Sequence, residues 1–403
     1  MANTLLTLDM ITREALRLFT NTNRFIQALD RQYDNQFANS GAKIGSTLRI
    51  RLPNDYTVRQ GAAAQVQNTN ETNTAFVLAT QSGVDISFSS VERTMQLDDY
   101  AERNIAPMMN NLVGDVASNI MSGSDGGFCN IVLNNPAGTI LSPTMETFLT
   151  AGAVLDDNSA PGLDRVLIND PWTDTRSVSG LAGLFNPSQE LSEQYRSGQM
   201  KNALGFDWMK DQTVIKHTSG SFSAGTVNGA SQTGVTLVTN AITGTLLAGD
   251  IITLADVNAV NRVTKDTTGT LRQFVVTANA ANGATSLTIY PAITPAVGGN
   301  KVQYQTVDAS PANSAAIDLV APASTTYRQS MAFAPEAITM ATADLELPGS
   351  SADEQYRASF DGISMRMATQ WQISTDQKIT RTDVLYGYLY VRPEWVVGVA
   401  DKI

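Results

Sequence analysis

One cysteine, one histidine, few charges and no long apolar run: each shortage removes a class of function. Charged residues fill 16% of the 403 positions, against roughly 25% in an ordinary soluble chain. Threonine, serine, asparagine, glutamine and glycine take their place, so the surface is polar but weakly ionised. Acidic residues outnumber basic ones 38 to 27, a net charge of -11. That removes a nucleic-acid binder held to phosphates by a Lys/Arg excess. The 42% hydrophobic content is unlike a disordered acidic tail, which is poor in apolar residues. At roughly 100–200 residues per domain, the length allows two or three domains.

Cys129, alone, permits no intramolecular disulfide and fits a reducing compartment. Asp9, Arg13 and Glu14 interrupt the stretch Met1 to Phe19 too often for a secretory core. No apolar run reaches the ~20 residues of a membrane span. A soluble, cytoplasmic product is expected. His217 would have to serve any Ser-His-Asp system or His-bearing metal site, and it reads as an incidental linker residue. Cys129 has no histidine near it in sequence and reads as a small buried side chain. Asp98-Asp99 and Asp156-Asp157-Asn158 read as solvated helix caps, the second lacking the glycine and final glutamate of a calcium loop. No phosphate-binding loop, dinucleotide fingerprint or nucleophile elbow occurs. No catalytic, cofactor-binding or metal-binding residue is expected.

What is present is a chain of mixed patterns. Leu8, Ile11, Ala15, Leu16 and Phe19 recur at helical spacing, as do Phe25, Ile26, Leu29 and Tyr33. Leu48, Ile50 and Leu52 alternate with Arg49 and Arg51, and Val84, Ile86 and Phe88 alternate in the same way on the expected return. The polar stretch between them buries little, and two strands alone are not stable in water, so the projecting hairpin needs a partner. Ile105, Met108, Met109, Leu112, Val113, Val116 and Ile120 predict a helix over 98–122, with Pro107 as a kink, a hinge or the true start. Helices are expected over 143–155 and 171–184, and a buried strand over 165–169.

Near residue 220 the composition changes. From Gly220 to Thr306 nearly one residue in five is threonine and charges become scarce. Short apolar runs at 235–238, 251–254, 274–277, 286–289 and 302–304, separated by glycine turns, predict a small antiparallel barrel or sandwich inserted into a host domain. Trp371, Tyr386, Tyr388, Tyr390 and Trp395 alternate near the end and read as sheet core.

Four stretches carry a family resemblance. They are Arg31–Phe37 followed by Lys43–Pro53; Val84–Phe88 running into Leu97–Arg103 and the long helix; Tyr386–Glu394 (Tyr-Gly-Tyr-Leu-Tyr-Val-Arg-Pro-Glu); and Gly205-Phe206-Asp207 ahead of the β block. In order and spacing the chain resembles the P-twenty-two-like coat proteins of tailed bacteriophages, with their Hong Kong ninety-seven type capsid fold. The resemblance implies an α+β chain with an N-terminal arm (1–43) and an extended loop (44–90). It places a peripheral domain at 91–136 with its spine helix at 98–122, an axial domain at 137–219 and an inserted β-barrel at 220–306. The axial domain returns at 307–345 and the peripheral strands at 346–403.

As a major capsid protein, the chain is expected to form pentamers and hexamers of itself. The implied partners are a separate scaffolding protein, a portal protein and enclosed double-stranded DNA bound without sequence specificity, with no membrane. Assembly would take place in the host bacterial cytoplasm. Inter-subunit contact is expected at Arg49, Arg51, Tyr56 and Arg59, scaffold contact at Asp9, Arg13 and Glu14, and hinge movement at Pro107. No lysine lies between 44 and 90, which speaks against the covalent crosslinking of some relatives. The short run Asn228–Gly234 stands where a longer capsomer-bridging loop is expected, with 260–269 as the other loop of the block. A β-rich adhesin or carbohydrate binder is the alternative reading, and a hydrolase the less favoured one.

Overall fold

The computed structural model describes residues 12–17, 23–31, 47–59, 61–62, 64, 66–68, 71–89, 106–122, 128–135, 138–181, 202–349, 353–360 and 363–403. They fall into two compact units. The first comprises Met1–Arg51, Asn73–Ile120 and Ile338–Val391; the second comprises Leu52–Thr72, Met121–Ala337 and Arg392–Ile403. In chain order the strands are β1 (Thr47–Arg51), β2 (Asn73–Val77), β3 (Thr80–Ser89), β4 (Asn130–Val132), β5 (Val166–Asn169), β6 (Asn202–Ala203), β7 (Phe206–Lys210), β8 (Lys216–Thr218) and β9 (Gly234–Val238). There follow β10 (Ile251–Val260), β11 (Thr267–Val276), β12 (Ser286–Ile293), β13 (Ile317–Leu319), β14 (Thr326–Phe333), β15 (Ile338–Ala343), β16 (Glu354–Phe360), β17 (Ile363–Gln372), β18 (Gln377–Tyr390) and β19 (Val396–Lys402).

In the first unit, β18 is the axis. It pairs antiparallel with β15, β17 and β3. Helix Ala106–Ser122 buries Met108, Met109, Leu112, Val113, Val116, Ala117 and Ile120, the expected stripe. Asn119 donates to the Tyr386 hydroxyl over 2.6 Å, and the Tyr390 hydroxyl donates to the Ile120 carbonyl over 2.7 Å. The expected start at 98, with Asp98 and Asp99, lies outside the described residues. Pro107 is the second described residue of this helix.

The hairpin differs from expectation. β1 pairs with β2, Leu48 opposite Phe76 and Ile50 opposite Thr74. The segment with Val84, Ile86 and Phe88 is β3, in the sheet around β18. Burial explains the exchange: Ile50, Phe76 and Leu78 close a core with Ala341, while β3 finds a full-length ladder on β18. Gly387 permits this packing. A Cβ there would lie 2.3 Å from the Val77 carbonyl oxygen, so only glycine lets that backbone approach.

The second unit contains a seven-stranded sheet, ordered β4-β19-β14-β5-β7-β6 with β8 also on β14. The β4–β19 and β5–β7 pairs are parallel. Helix Met145–Asp157, capped by reciprocal bonds between Thr144 and Thr147, packs Phe148, Ala151 and Leu155 with Leu167, Phe206, Trp208, Val397 and Val399. A second sheet is ordered β13-β10-β11-β12-β9. Backbone bonds from Gly225 to Asn228 reach Val238–Asn240 on one side and Ala315–Ile317 on the other, joining the two edges. Phe222, Val227, Leu237, Ile252, Phe274, Ile289 and Ile317 fill its core.

Three boundaries move. The predicted strand at 302–304 is a turn, with Tyr304 at φ 55°. The β block continues past Thr306, because β13 pairs with β10. The terminal strands divide: β15, starting at Ile338, joins the first unit, and β19 lies in the seven-stranded sheet of the second. The short helix Pro393–Trp395 ends β18 and separates the two roles. The aromatic group divides with it. Tyr386 is fully buried and Trp371 is 40% exposed, whereas Trp395 packs in the second unit, with the Arg392 guanidinium 5.5 Å from its ring.

Candidate functional site

The groups that could carry covalent chemistry are tied into structure. His217 is not in a linker but on β8, opposite Tyr327 of β14. Its Nε2 lies 2.9 Å from Asp250 Oδ1, and its ring packs edge-on against Tyr327 at 5.6 Å. The other Asp250 oxygen accepts the Gly220 and Leu247 amides at 3.0 and 2.7 Å, so the pair closes a turn. Cys129 is fully buried, and burial, with Glu394 adding to it, pushes its thiol up to about 12. A thiol held protonated in this way is a poor nucleophile. The run 156–158 is more than a solvated cap. Arg165 donates to Asp156 over 2.6 Å, and Asn158 receives Arg272 at 3.2 Å on its side chain and Trp395 Nε1 at 3.0 Å on its carbonyl. Among the described residues, no group of three or more His, Cys, Asp or Glu side chains is placed to hold a metal ion, and no helix is long and apolar enough to cross a membrane.

Surfaces that could take a partner are better developed. In the first unit, helix 12–17 buries Ala15 and Leu16 and turns Arg13, Glu14 and Arg17 toward β16. These residues line an open groove of about 700 Å³ with Tyr356, Arg357, Ala358 and Ser359. Arg13 donates to the Tyr356 hydroxyl over 3.0 Å. Arg17 forms a two-pronged pair with Glu14 at 2.6 and 2.9 Å, which holds the Glu14 carboxyl below its ordinary pKa. Arg13 and Glu14 therefore share one groove; Asp9 lies outside the described residues.

The segment expected to be the extended loop is divided between the two units. Arg49 and Arg51 share the exposed face of β1, Ile50 being buried on the opposite face. The chain leaves β1 at Arg51, and the tip belongs to the second unit. Tyr56 and Arg59 are both exposed there, and Arg59 bonds the Gly61 carbonyl.

Sequence reasoning missed what this tip touches. Asp55 meets Lys265 Nζ at 3.2 Å and Arg262 Nη2 at 3.3 Å. The Tyr304 hydroxyl donates to Asn54 over 3.1 Å, and Gln303 donates to Gln67 and to the Asn68 carbonyl at 3.3 and 3.2 Å. One signal was available: in the charge-poor block, Arg262, Lys265 and Asp266 fall within five residues.

No curated protein sequence matches the chain. Among solved structures, the capsid of Ralstonia phage GP4 is similar at 7% identity and a TM-score of 0.47, over 100% of this chain and 94% of that one. A chain of Mycobacterium phage Che8 shows 12% identity and a TM-score of 0.45, over 93% and 90%. The CUS-3 coat protein I-domain shows 31% identity and a TM-score of 0.20, over 24% of this chain and 95% of that one. The family model described as P22 coat protein, gene protein 5, matches residues 144–400, more than half of the chain, so the chain belongs to the P22 coat protein family and is a major capsid protein of the phage head, α+β in class.

Proposed function

We propose that this capsid protein builds the head from head-to-tail contacts that close into rings of five and six copies. The extended loop carries the contact between neighbours. The observation that supports this most is its tip: none of the described residues between Leu52 and Thr72 is buried. Tyr56, Val58 and Val66 there are 54%, 91% and 94% exposed. Large apolar side chains on a segment without a core favour a surface still to be covered. Arg49, Arg51, Tyr56 and Arg59 meet the next copy, with main-chain contacts along the ribbon resembling strand addition. Modest contacts suffice because many act together.

The groove with Arg13 and Glu14, together with Asp9, receives a separate scaffolding protein, and a portal protein occupies one vertex. The net charge of -11 keeps packaged DNA from adhering to the wall. Assembly takes place in the bacterial cytoplasm, with no chemical step catalysed by the chain. Maturation of the precursor is a rigid-body rotation with its hinge near Pro107. Electron microscopy of the purified full-length chain, alone and co-expressed with a scaffolding protein, tests the reading. Closed icosahedral shells are the expected result, and dispersed monomers under both conditions would overturn it.

A further inference from the structure

The contacts of Asp55 lead beyond ring formation. The loop 261–266 is stiff: the Asn261 side chain accepts the Val263 and Thr264 amides at 2.9 and 3.1 Å, and Lys265 takes φ 57°. Lys301 ties it to the loop 301–304 by donating to the Thr264 carbonyl and to Asp266 at 2.7 and 2.6 Å. The two loops thus form one seat on the β block. Into it the tip places a row of polar groups, Asn54, Asp55, Gln67 and Asn68. Gln67 also receives the Thr57 amide at 2.9 Å, which ties the two sides of the tip together. Lys265 is the anchor. It is only 5% exposed, and burial lowers its pKa, with Asp55 opposing that shift and Arg262 adding to it. A buried ammonium is costly unless paired, so the seat is built for an acidic occupant.

We infer that the seat formed by loops 261–266 and 301–304 is the docking surface for this chain's own loop tip, and that this latch fixes the pose of the extended loop before the shell assembles. The polar row faces the β block, while Tyr56, Val58 and Val66 stay exposed for the neighbouring copy. This rests on the reading of the loop as the contact between copies.

Hydrogen exchange on the unassembled full-length chain, followed by electron microscopy of particles, tests it with Lys265→Met and Asp55→Asn. Met keeps the aliphatic stem and removes the buried charge. Both variants are expected to exchange about tenfold faster over residues 54–68, with β11 and β12 unchanged, and to give fewer and misshapen particles. If either variant loses protection throughout the β block, Tyr304→Phe combined with Gln303→Ala takes its place, since that pair removes tip contacts without touching the ion pair. Tip exchange within about twofold of the unmodified chain, or a freed tip with normal particles, overturns the latch. If the unmodified chain forms no particles, the assembly reading fails instead, while the exchange result still decides whether the latch exists.

Discussion

Asp383 shows how one side chain organises a sheet. It is 1% exposed on β18, and Arg366 reaches it at 2.5 Å and Arg381 at 2.9 Å. Burial pushes its pKa up, but hydrogen bonds from Arg366, Arg381 and Gln81 outweigh burial and hold it below the ordinary aspartate value. A carboxylate whose pKa is depressed by folding contributes stability that is present above its unfolded pKa and lost as pH falls through the folded one. Below roughly pH 4 the first unit should therefore lose thermal stability. Asp383→Asn should remove that part of the acid dependence while lowering the midpoint at neutral pH, since two guanidinium groups lose their acceptor. Thermal melts by circular dichroism at stepped pH read both effects; an unchanged acid profile in the variant would refute the assignment. Lys265 illustrates a burial effect that its surroundings do not outweigh. Neither partner set was read beforehand: the pairing of Arg366 with Asp383 depends on the register of two strands, and that of Lys265 with Asp55 joins segments 210 residues apart.

At the scale of elements, legibility followed locality. The stripe on Ala106–Ser122, the Thr144 helix and the short apolar runs of β10 to β12 depend on neighbours a few residues away, and sequence spacing reports those directly. Pairing partners were harder. Val84 and Ile86 alternate correctly, yet the same pattern serves a hairpin return or a ladder with β18, and only the core around Ile50, Phe76 and Leu78 decides. The Tyr-Gly-Tyr stretch carried the resemblance without its reason. Gly387 is needed because the Val77–Leu78 backbone lies against it. Gly387→Ala is expected to destabilise the first unit by about 1–3 kcal/mol, the range for overpacking, read as a lower urea midpoint. A midpoint equal to that of the unmodified chain would show that the backbone gives way there.

For the whole molecule, family membership sets aside the adhesin reading. Shell-building then makes an expected outcome specific. Replacing residues 61–70 with a short Gly-Ser link removes Val66 and spares the β block. The shortened chain should remain folded by circular dichroism and sediment as a dispersed species; normal particles would show that the tip is dispensable. The terminal strands were hardest to place because the chain crosses between the two units after Ala337 and again after Val391, and nothing in the residue pattern marks either crossing.

β19 has a consequence for how such a chain is made. It follows every other strand of its sheet in sequence, yet it sits inside, between β4 and β14. A nascent polypeptide on the ribosome therefore leaves β4 without its partner, and one side of β14 open, until Val396–Lys402 has been made. The layer is thus expected to close only after the last strand is released, which makes it a late step in the folding of each copy.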